Sequence, residues 1–474
     1  MENKKINSPE RIDFNTQNVF IEKVKNKIND IRPDNKIPSY FVRNFGCQMN
    51  QNEAEKYTGM LEMMGFINAG NIENADFVLF NTCCVRENAE QKVFGHLGEL
   101  KGMKNQKPWM IIAVCGCMMQ QPHTVEEIRN KYKHVNLVLG TQNIHELPKL
   151  LYDNMTGGIR AVNVYETEMY IPEGIPLKRE HQHKSWLSII YGCNNFCSYC
   201  IVPHVRGRER SRDVEDIVQE AKALAKDGVK EITLLGQNVN SYGKTLTVPI
   251  DFTALLYKLN EVKGLERIRF MTSHPKDISE TLIVAMSELD KVCKHLHLPL
   301  QSGSDKVLKE MNRRYTKQKY LDIIAYAKEK MPGLGLTTDI MVGFPGETED
   351  DFNETMDVLK KVEFDMAFTF IYSIRKGTPA ALRNDQVSEE DKKRRFQLLL
   401  DVQNAISYKM NAVYVGKTVS VLTEGVSKTN INTYTGRTDT NKIVNFTADK
   451  DYTGQFVNVK ILNAGSWSLD GELD

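Results

Sequence analysis

From Ser39 onward, short apolar runs alternate with segments of helical period. Apolar runs fall at residues 40–42, 76–80, 109–114 and 135–139, and each of the first three is followed by a helical segment. Strand then helix, repeated about every 35 residues, predicts an open parallel sheet. A second series starts at Ser185, with runs at 186–190, 231–235, 267–270, 295–298, 336–342 and 368–372. Helical segments such as 214–226 and 350–362 separate them, the latter opening with Thr348 and Asp351 in capping-box spacing. Six strand–helix units predict a partial barrel. Past residue 411 the pattern changes to short strands at 418–422, 434–437, 443–446 and 456–462, with glycines at the turns, which predicts a small five-stranded barrel of the OB type. The expected fold class is α/β: an N-terminal open parallel α/β domain (37–150), a linker with one hairpin (151–184), a partial barrel (185–408) and a small C-terminal antiparallel β-barrel (409–474). Residues 1–36 read as an extension. Residues 18–31 form one amphipathic helix there, with Val19, Ile21, Val24 and Ile28 roughly on one side; a docking arm and a disordered tail are both open readings.

Cysteines add the chemistry. Cys193, Cys197 and Cys200 sit within eight residues, directly after the strand that opens the second series. Closely spaced thiolates hold iron–sulfur clusters, and three ligands on a 4Fe–4S cluster leave one iron open to a non-protein ligand such as S-adenosylmethionine (SAM). The plain alternative is a zinc site short of one ligand, or spare core thiols. In the first series a cysteine falls near the carboxyl end of each of the first three strands, the edge where ligands gather in open α/β sheets. Cys47 has no competitor there. Cys83 and Cys84 are neighbours, and spacing does not choose between them. Cys115 extends an apolar strand and reads as packing, whereas Cys117, past Gly116, is free to face the rim. Cys293, beside an apolar run, reads as structural, and the linker histidines His181 and His183 as solvated.

Net charge is only +1, so a nucleic-acid partner is not advertised by the chain as a whole and any basic surface is local. Nine cysteines, clustered rather than evenly paired, suit a reducing compartment. The first 36 residues hold no apolar leader, and no stretch of about 18 apolar residues occurs, so the expectation is a cytoplasmic protein with no membrane partner. The strand ends of the second series carry amide and small residues suited to a nucleoside and its amino-acid moiety: Gln237 and Asn238, Ser302, and Asp339 within the fifth strand. Four arginines fall in residues 204–212, and Arg206 and Arg208 are candidates for a substrate anion, against the plain reading of a solvated loop. Residues 411–474 are net −1, so RNA would have to use a minority face, with Tyr434 stacking and Arg437 on phosphate.

Several of these stretches stand together in an order that resembles the radical-SAM methylthiotransferases. They are Gly46-Cys-Gln-Met-Asn50, Asn81-Thr-Cys-Cys-Val-Arg-Glu87, Gly116-Cys117, the run from Gly192 to Pro203, Arg206-Gly-Arg-Glu-Arg-Ser-Arg212 and the run from Leu235 to Gly243. The similarity covers about Ser39 to the C-terminus and is greatest to the MiaB type, which adds a methylthio group to carbon 2 of isopentenyl-adenosine beside the tRNA anticodon. The resemblance selects Cys83 over Cys84 and Cys117 over Cys115, and the extra thiols are departures from the pattern. It implies two 4Fe–4S clusters. One, on Cys193, Cys197 and Cys200, would reduce SAM to a 5′-deoxyadenosyl radical that abstracts hydrogen from the aromatic carbon. The auxiliary cluster, on Cys47, Cys83 and Cys117, would carry or donate sulfur. Gln237, Asn238, Ser302 and Asp339 become candidates for holding SAM, and two facing rims would enclose a flipped adenine. The C-terminal barrel is similar to the RNA-binding module called TRAM. Implied partners are tRNA, through its anticodon stem-loop, and an electron donor such as flavodoxin or ferredoxin, with the protein a monomer. Two other readings stand beside this one: a sister methylthiotransferase acting on threonylcarbamoyl-adenosine or a ribosomal-protein aspartate, and a non-catalytic RNA-binding iron–sulfur sensor.

Overall fold

The structure, a computed structural model, describes residues 10–84, 87–158, 160–165, 170–427 and 430–474. Val85 and Arg86 of the second motif, the side chain of Glu87, Lys428 and residues 1–9 lie outside the described residues. Two compact units form. One comprises the chain up to Glu180 together with Ile190–Asn194 and Ile201–Arg212; the other comprises His181–Ile189, Asn195–Cys200 and Asp213–Asp474.

The first unit is built on a six-stranded parallel sheet in the order Ile67–Asn68, Ser39–Asn44, Phe77–Thr82, Ile111–Gly116, Leu137–Leu139, Ala161–Asn163. Side chains alternate across a strand, so the central apolar runs cover both faces. Phe77, Leu79, Ile111, Ala113 and Leu137 serve one core, and Val78, Phe80, Ile112, Val114 and Val138 the other. Helix Glu87–Gln106 closes the second face through Val93, Leu97 and Leu100.

The first face is closed from an unexpected direction. Phe14, Ile21, Val24, Ile28 and Ile31, all upstream of residue 36, are buried in that core beside Leu147, Leu150 and Leu151 of helix Leu147–Gly157. The expected single helix is a helix over Asn18–Asn26 and a 3-10 turn over Ile28–Ile31. The stretch read as a linker supplies the Ala161–Asn163 edge strand. In place of a hairpin, its Tyr170–Glu173 strand pairs in parallel with Glu10–Asp13. Residues before 36 and after 151 thus complete the first unit.

In the second unit, strands Lys184–Ser188, Glu231–Leu235 and Arg267–Phe270 form one parallel run, and His295–His297, Gly335–Val342 and Met366–Ile371 another. A bridge between Ile268 and Val292, with Cys293 N–H donating to the Ile268 carbonyl at 3.0 Å, joins them into six strands, as a partial barrel requires. The C-terminal barrel is closed and five-stranded; its strand Leu469–Leu473, not legible as a run, inserts parallel to Ile443–Thr447. Two inward arginines of the partial barrel hold it. Arg267 donates to the carbonyls of Arg437 (2.7 Å) and Ser420 (3.2 Å), and Arg269 to those of Thr438 (2.6 Å) and Asp439 (2.9 Å). Among the described residues no helix is long and apolar enough to cross a membrane.

Burial of the first segment sets an expectation for stability. Ile21→Ala should cost about 2–5 kcal/mol in the first unit. Val19→Ala, at a position 60% exposed on the same helix, should stay within about 0.5 kcal/mol. Urea unfolding of the two variants checks this, and equal small shifts would show that the segment does not belong to the core.

Candidate cluster and nucleoside sites

Each of three adjacent strands in the first unit delivers a cysteine just beyond its carboxyl end. Cys47 follows Ser39–Asn44, Cys83 follows Phe77–Thr82 and Cys117 follows Ile111–Gly116. The strands are in register here, with Asn44 opposite Asn81 and Thr82 opposite Gly116. Polar side chains bracket the three loops. Asn50, on the helix after Cys47, donates to Asn81 Oδ1 (3.2 Å) and the Thr82 carbonyl (3.1 Å), and Asn81 donates back to the Asn50 carbonyl at 2.6 Å. The Cys47 thiol donates to Asn50 Oδ1 at 3.2 Å. Gly116 sits at φ +95, and a Cβ on it would lie 2.4 Å from the Thr82 carbonyl oxygen, so only glycine fits.

The four thiols nearest this rim differ. Cys47 is exposed; Cys83, Cys84 and Cys117 are buried. Cys84 hydrogen-bonds to Cys117, which lowers the Cys117 thiol and raises Cys84, and the two share an apolar cluster with Ile201 and Val205. Cys115 is fully buried, and burial pushes its thiol up. Arg206 reaches this rim from helix Val202–Arg206. Its Nε donates to Cys117 Sγ at 3.1 Å, and its two terminal nitrogens bind the Glu53 carboxylate at 2.7 and 3.2 Å. Arg212 pairs in the same way with Glu173, at 2.7 and 2.5 Å. Arg208 is exposed.

The run from Gly192 to Cys200 is held at both ends. Within the first unit, Gly192 is at φ +76 with the Arg208 carbonyl where a Cβ would stand, and Cys193 N–H donates to the Gly207 carbonyl at 3.1 Å. Within the second, Asn312 Nδ2 donates to the carbonyls of Asn195 (3.3 Å) and Phe196 (2.9 Å), Ser198 Oγ to that of Glu310 (2.8 Å), and Lys276 to Asn195 Oδ1 (2.6 Å). Arg313 Nη1 donates to Cys197 Sγ at 3.4 Å. Phe196, Thr272, Gln301, Asn312 and Arg314 all have positive φ, a concentration of left-handed non-glycine residues typical of functional loops. Among the described residues no three Cys, His, Asp or Glu side chains are grouped to hold a single metal ion. Each triad offers only thiols, the soft donor set suited to an iron–sulfur cluster.

The nucleoside candidates divide. Asn238 is buried; its Nδ2 donates to Asp277 at 2.8 Å, while its Oδ1 has no hydrogen-bond partner among the described residues. Gln237 is half-buried on the same strand end. Asp339, partly exposed, lies 3.6 Å from His297 Nε2. Ser302 is fully buried. Its hydroxyl lies 3.3 Å from Thr355 Oγ1 and accepts from Ser304 N–H, so it ties its loop to helix Glu349–Val362. Sequence reasoning did not single out three residues, Asn240, Ser273 and His274, all buried, each with side-chain polar atoms that have no hydrogen-bond partner among the described residues. Burial, with Arg313 and Lys276 nearby, pushes the His274 imidazole down to about 2, so it is neutral at pH 7. The signal for Ser273 and His274 was available, because both follow the Arg267–Phe270 strand at the same carboxyl edge. In the C-terminal barrel, Tyr434 stacks on Phe446 at 6.1 Å, and Arg437 pairs with Glu424 at 3.3 Å.

Comparison with known proteins gives the same architecture. Residues 187–359 match the Radical SAM superfamily, residues 39–140 the uncharacterized protein family UPF0004, and residues 412–473 the TRAM domain. Two solved structures of a radical S-adenosylmethionine methyltransferase, TsrM, from Kitasatospora setae superpose with a TM-score of 0.54 at 13% identity. Each alignment covers 73% of this chain, and 75% and 77% of the two TsrM chains. One holds tryptophan and a SAM analogue, the other cobalamin and a [4Fe-4S] cluster. At that identity the likeness speaks for the fold. Curated relatives are far nearer. A tRNA-2-methylthio-N(6)-dimethylallyladenosine synthase of Acetivibrio thermocellus is 53% identical over 96% of this chain and 95% of its own length. One of Alkaliphilus oremlandii is 53% identical over 99% of this chain and 98% of its own. One of Clostridium botulinum is 53% identical over 94% of this chain and 99% of its own. None of these names favours the sister activities or a non-catalytic sensor. With identity of this order across nearly the full length of both chains, this protein belongs to the tRNA-2-methylthio-N(6)-dimethylallyladenosine synthases, a family of radical-SAM methylthiotransferase enzymes.

Proposed function

We propose that this chain adds a methylthio group to carbon 2 of isopentenyl-adenosine next to the tRNA anticodon, using SAM and two 4Fe–4S clusters. The observation that carries this reading is the near-full-length identity to synthases of that name, combined with the three strand-end cysteines that the UPF0004 match spans. When bound, a reduced SAM-ligated cluster supplies one-electron cleavage of SAM and thereby hydrogen abstraction from an unactivated carbon, chemistry that side chains cannot perform.

The residues divide the remaining work. Cys193, Cys197 and Cys200 hold the cluster that meets SAM, and Cys47, Cys83 and Cys117 hold the auxiliary one. Asn50 and Asn81 fix the loops of the auxiliary triad. Gln237, Asn238, Asn240 and His274 are the polar rim for SAM. Asp339 presents a carboxylate to it from the next strand run. Phe368 and Phe370 pair in register with Asp339 and Met341 on the outermost strand and are exposed, giving an isopentenyl-adenine an apolar surface beside that carboxylate. Arg208 and Tyr434 remain candidates for RNA contact. An external one-electron donor such as flavodoxin or ferredoxin supplies the electrons, and the protein acts in the cytoplasm as a monomer.

Three outcomes follow. Anaerobically reconstituted protein given SAM, reductant and tRNA bearing isopentenyl-adenosine should yield methylthio-isopentenyl-adenosine on nucleoside mass analysis. If 5′-deoxyadenosine forms without that product, the substrate is wrong while the radical chemistry stands. Iron analysis should show Cys83→Ala losing about half the iron and Cys84→Ala retaining it; equal loss in both would overturn the choice of Cys83. Asn240→Ala and His274→Ala should each weaken SAM binding about tenfold, the value of roughly one good hydrogen bond. Ser302→Ala should leave SAM affinity unchanged, and an equal loss there would place SAM against the loop at Ser302.

A further inference from the structure

Two buried arginines touch a cysteine assigned to a cluster, and they differ in what neutralises them. Arg206, on Cys117, has the Glu53 carboxylate as counter-ion at 2.7 and 3.2 Å. Arg313, on Cys197, has no carboxylate partner among the described residues. Its hydrogen bonds go to Cys197 Sγ (3.4 Å), the Pro299 carbonyl (3.1 Å) and the Tyr315 hydroxyl (3.3 Å), and it lies over the Tyr315 ring at 5.3 Å. A guanidinium withdrawn from water without an anion costs several kcal/mol, so such a group is retained where an anion meets it. Among the described residues, the Cys197 sulfur is the one partner of Arg313 that a bound cluster would make anionic.

The surroundings keep the guanidinium in this position. Tyr315 is itself held by donating to the Leu300 carbonyl at 2.6 Å. The residues on either side of Arg313, Asn312 and Arg314, both adopt left-handed backbone, at φ 59 and 58. For arginine that conformation is unfavourable and persists only where the surrounding structure enforces it. The same turn donates Asn312 Nδ2 to the cysteine loop, so the strained segment positions both the loop and the cation.

We infer that Arg313 is a positioning residue that raises the reduction potential of the SAM-binding cluster, serving as the buried counter-cation for the charge that cluster gains on reduction. The inference rests on the assignment of Cys193, Cys197 and Cys200 under the proposed function. One electron enters from the external donor and no proton accompanies it, so the reduced assembly is more negative by one charge. A fixed cation hydrogen-bonded to a ligand sulfur favours that form, and hydrogen bonds to the sulfurs and net charge are established levers on cluster potentials. The auxiliary triad lacks this bias, because Glu53 already compensates Arg206. The two sites are thereby set apart, with the incoming electron directed to the cluster that cleaves SAM.

The test uses the full chain carrying Cys47→Ala, Cys83→Ala and Cys117→Ala, so that a single cluster is titrated. Its midpoint potential is read by EPR-monitored reduction, without tRNA, in the parent and in Arg313→Met, Arg313→Gln and Arg313→Lys. Both neutral variants should disfavour reduction at least tenfold, about 59 mV for a one-electron couple. Arg313→Lys, which keeps the charge, should stay within about threefold of the parent. An unchanged potential in the neutral variants overturns the inference, as does an equal shift in all three. Loss of iron from both neutral variants overturns it too, by making Arg313 a folding residue. A parent protein that binds no four-iron cluster refutes the cofactor assignment itself, and the iron count reads that failure before any variant is compared.

Discussion

The reciprocal pair between Asn50 and Asn81 is the constraint on which the first unit's chemistry depends. Asn81 ends one strand's apolar run, and Asn50 stands on the helix that leaves its neighbour. Each donates an amide hydrogen bond to the other's segment, and Asn50 also takes the Thr82 carbonyl. Both residues are wholly buried, so an unmet donor or acceptor here would cost the full desolvation penalty. The pair fixes where the Cys47 and Cys83 loops begin. Gly116 brings in the third loop by letting the Cys117 strand end pass within van der Waals reach of the Thr82 backbone. Three cysteines, separated by tens of residues in the chain, are thus placed by hydrogen bonds among other residues of the same motifs.

That arrangement explains which features were legible in the sequence. The strand runs at 76–80 and 109–114 were clear because buried parallel strands are apolar on both faces. The rule that ligands gather at carboxyl ends then pointed to Cys47, Cys117 and the Cys83–Cys84 pair, and only the resemblance chose Cys83 within that pair. The same rule would have found Ser273 and His274, whose strand, Arg267–Phe270, is short and half cationic. Its arginines point inward to carbonyls of the C-terminal barrel, an unusual use for an α/β strand and one that no local pattern signals. Ser302 shows a related limit. A serine between small residues after a strand suits a nucleoside and a loop packed on a helix equally well, and its contact in the structure, Thr355, lies 53 residues away.

The first 36 residues show the other limit. Periodicity put Val19, Ile21, Val24 and Ile28 on one side of a helix; the structure buries the last three and leaves Val19 exposed. Nothing local says which surface a helix will cover. One face of the sheet is closed by Glu87–Gln106, and the other takes Tyr57, Met60 and Leu61 from the helix Gln48–Met63. Residues 14–31 and 147–151 add apolar area to that second core from the two ends of the unit, where Glu10–Asp13 also pairs with Tyr170–Glu173.

The arginine run from 206 to 212 shows how burial changes the meaning of charge. As sequence it is a basic loop beside a cluster motif, suited to anions. In the structure Arg206 and Arg212 are buried against Glu53 and Glu173, carboxylates 153 and 39 residues away, and only Arg208 is exposed. A buried pair of this kind adds little net stability, but losing either partner leaves an unpaired charge in the interior. The geometry of the cysteine loops is therefore coupled to distant acidic residues, and the surface left for RNA is less basic than the run suggests. The C-terminal barrel adds to this: its net charge is negative, and Arg437, read from the sequence as a phosphate contact, is paired with Glu424, so its charge too is met within the protein.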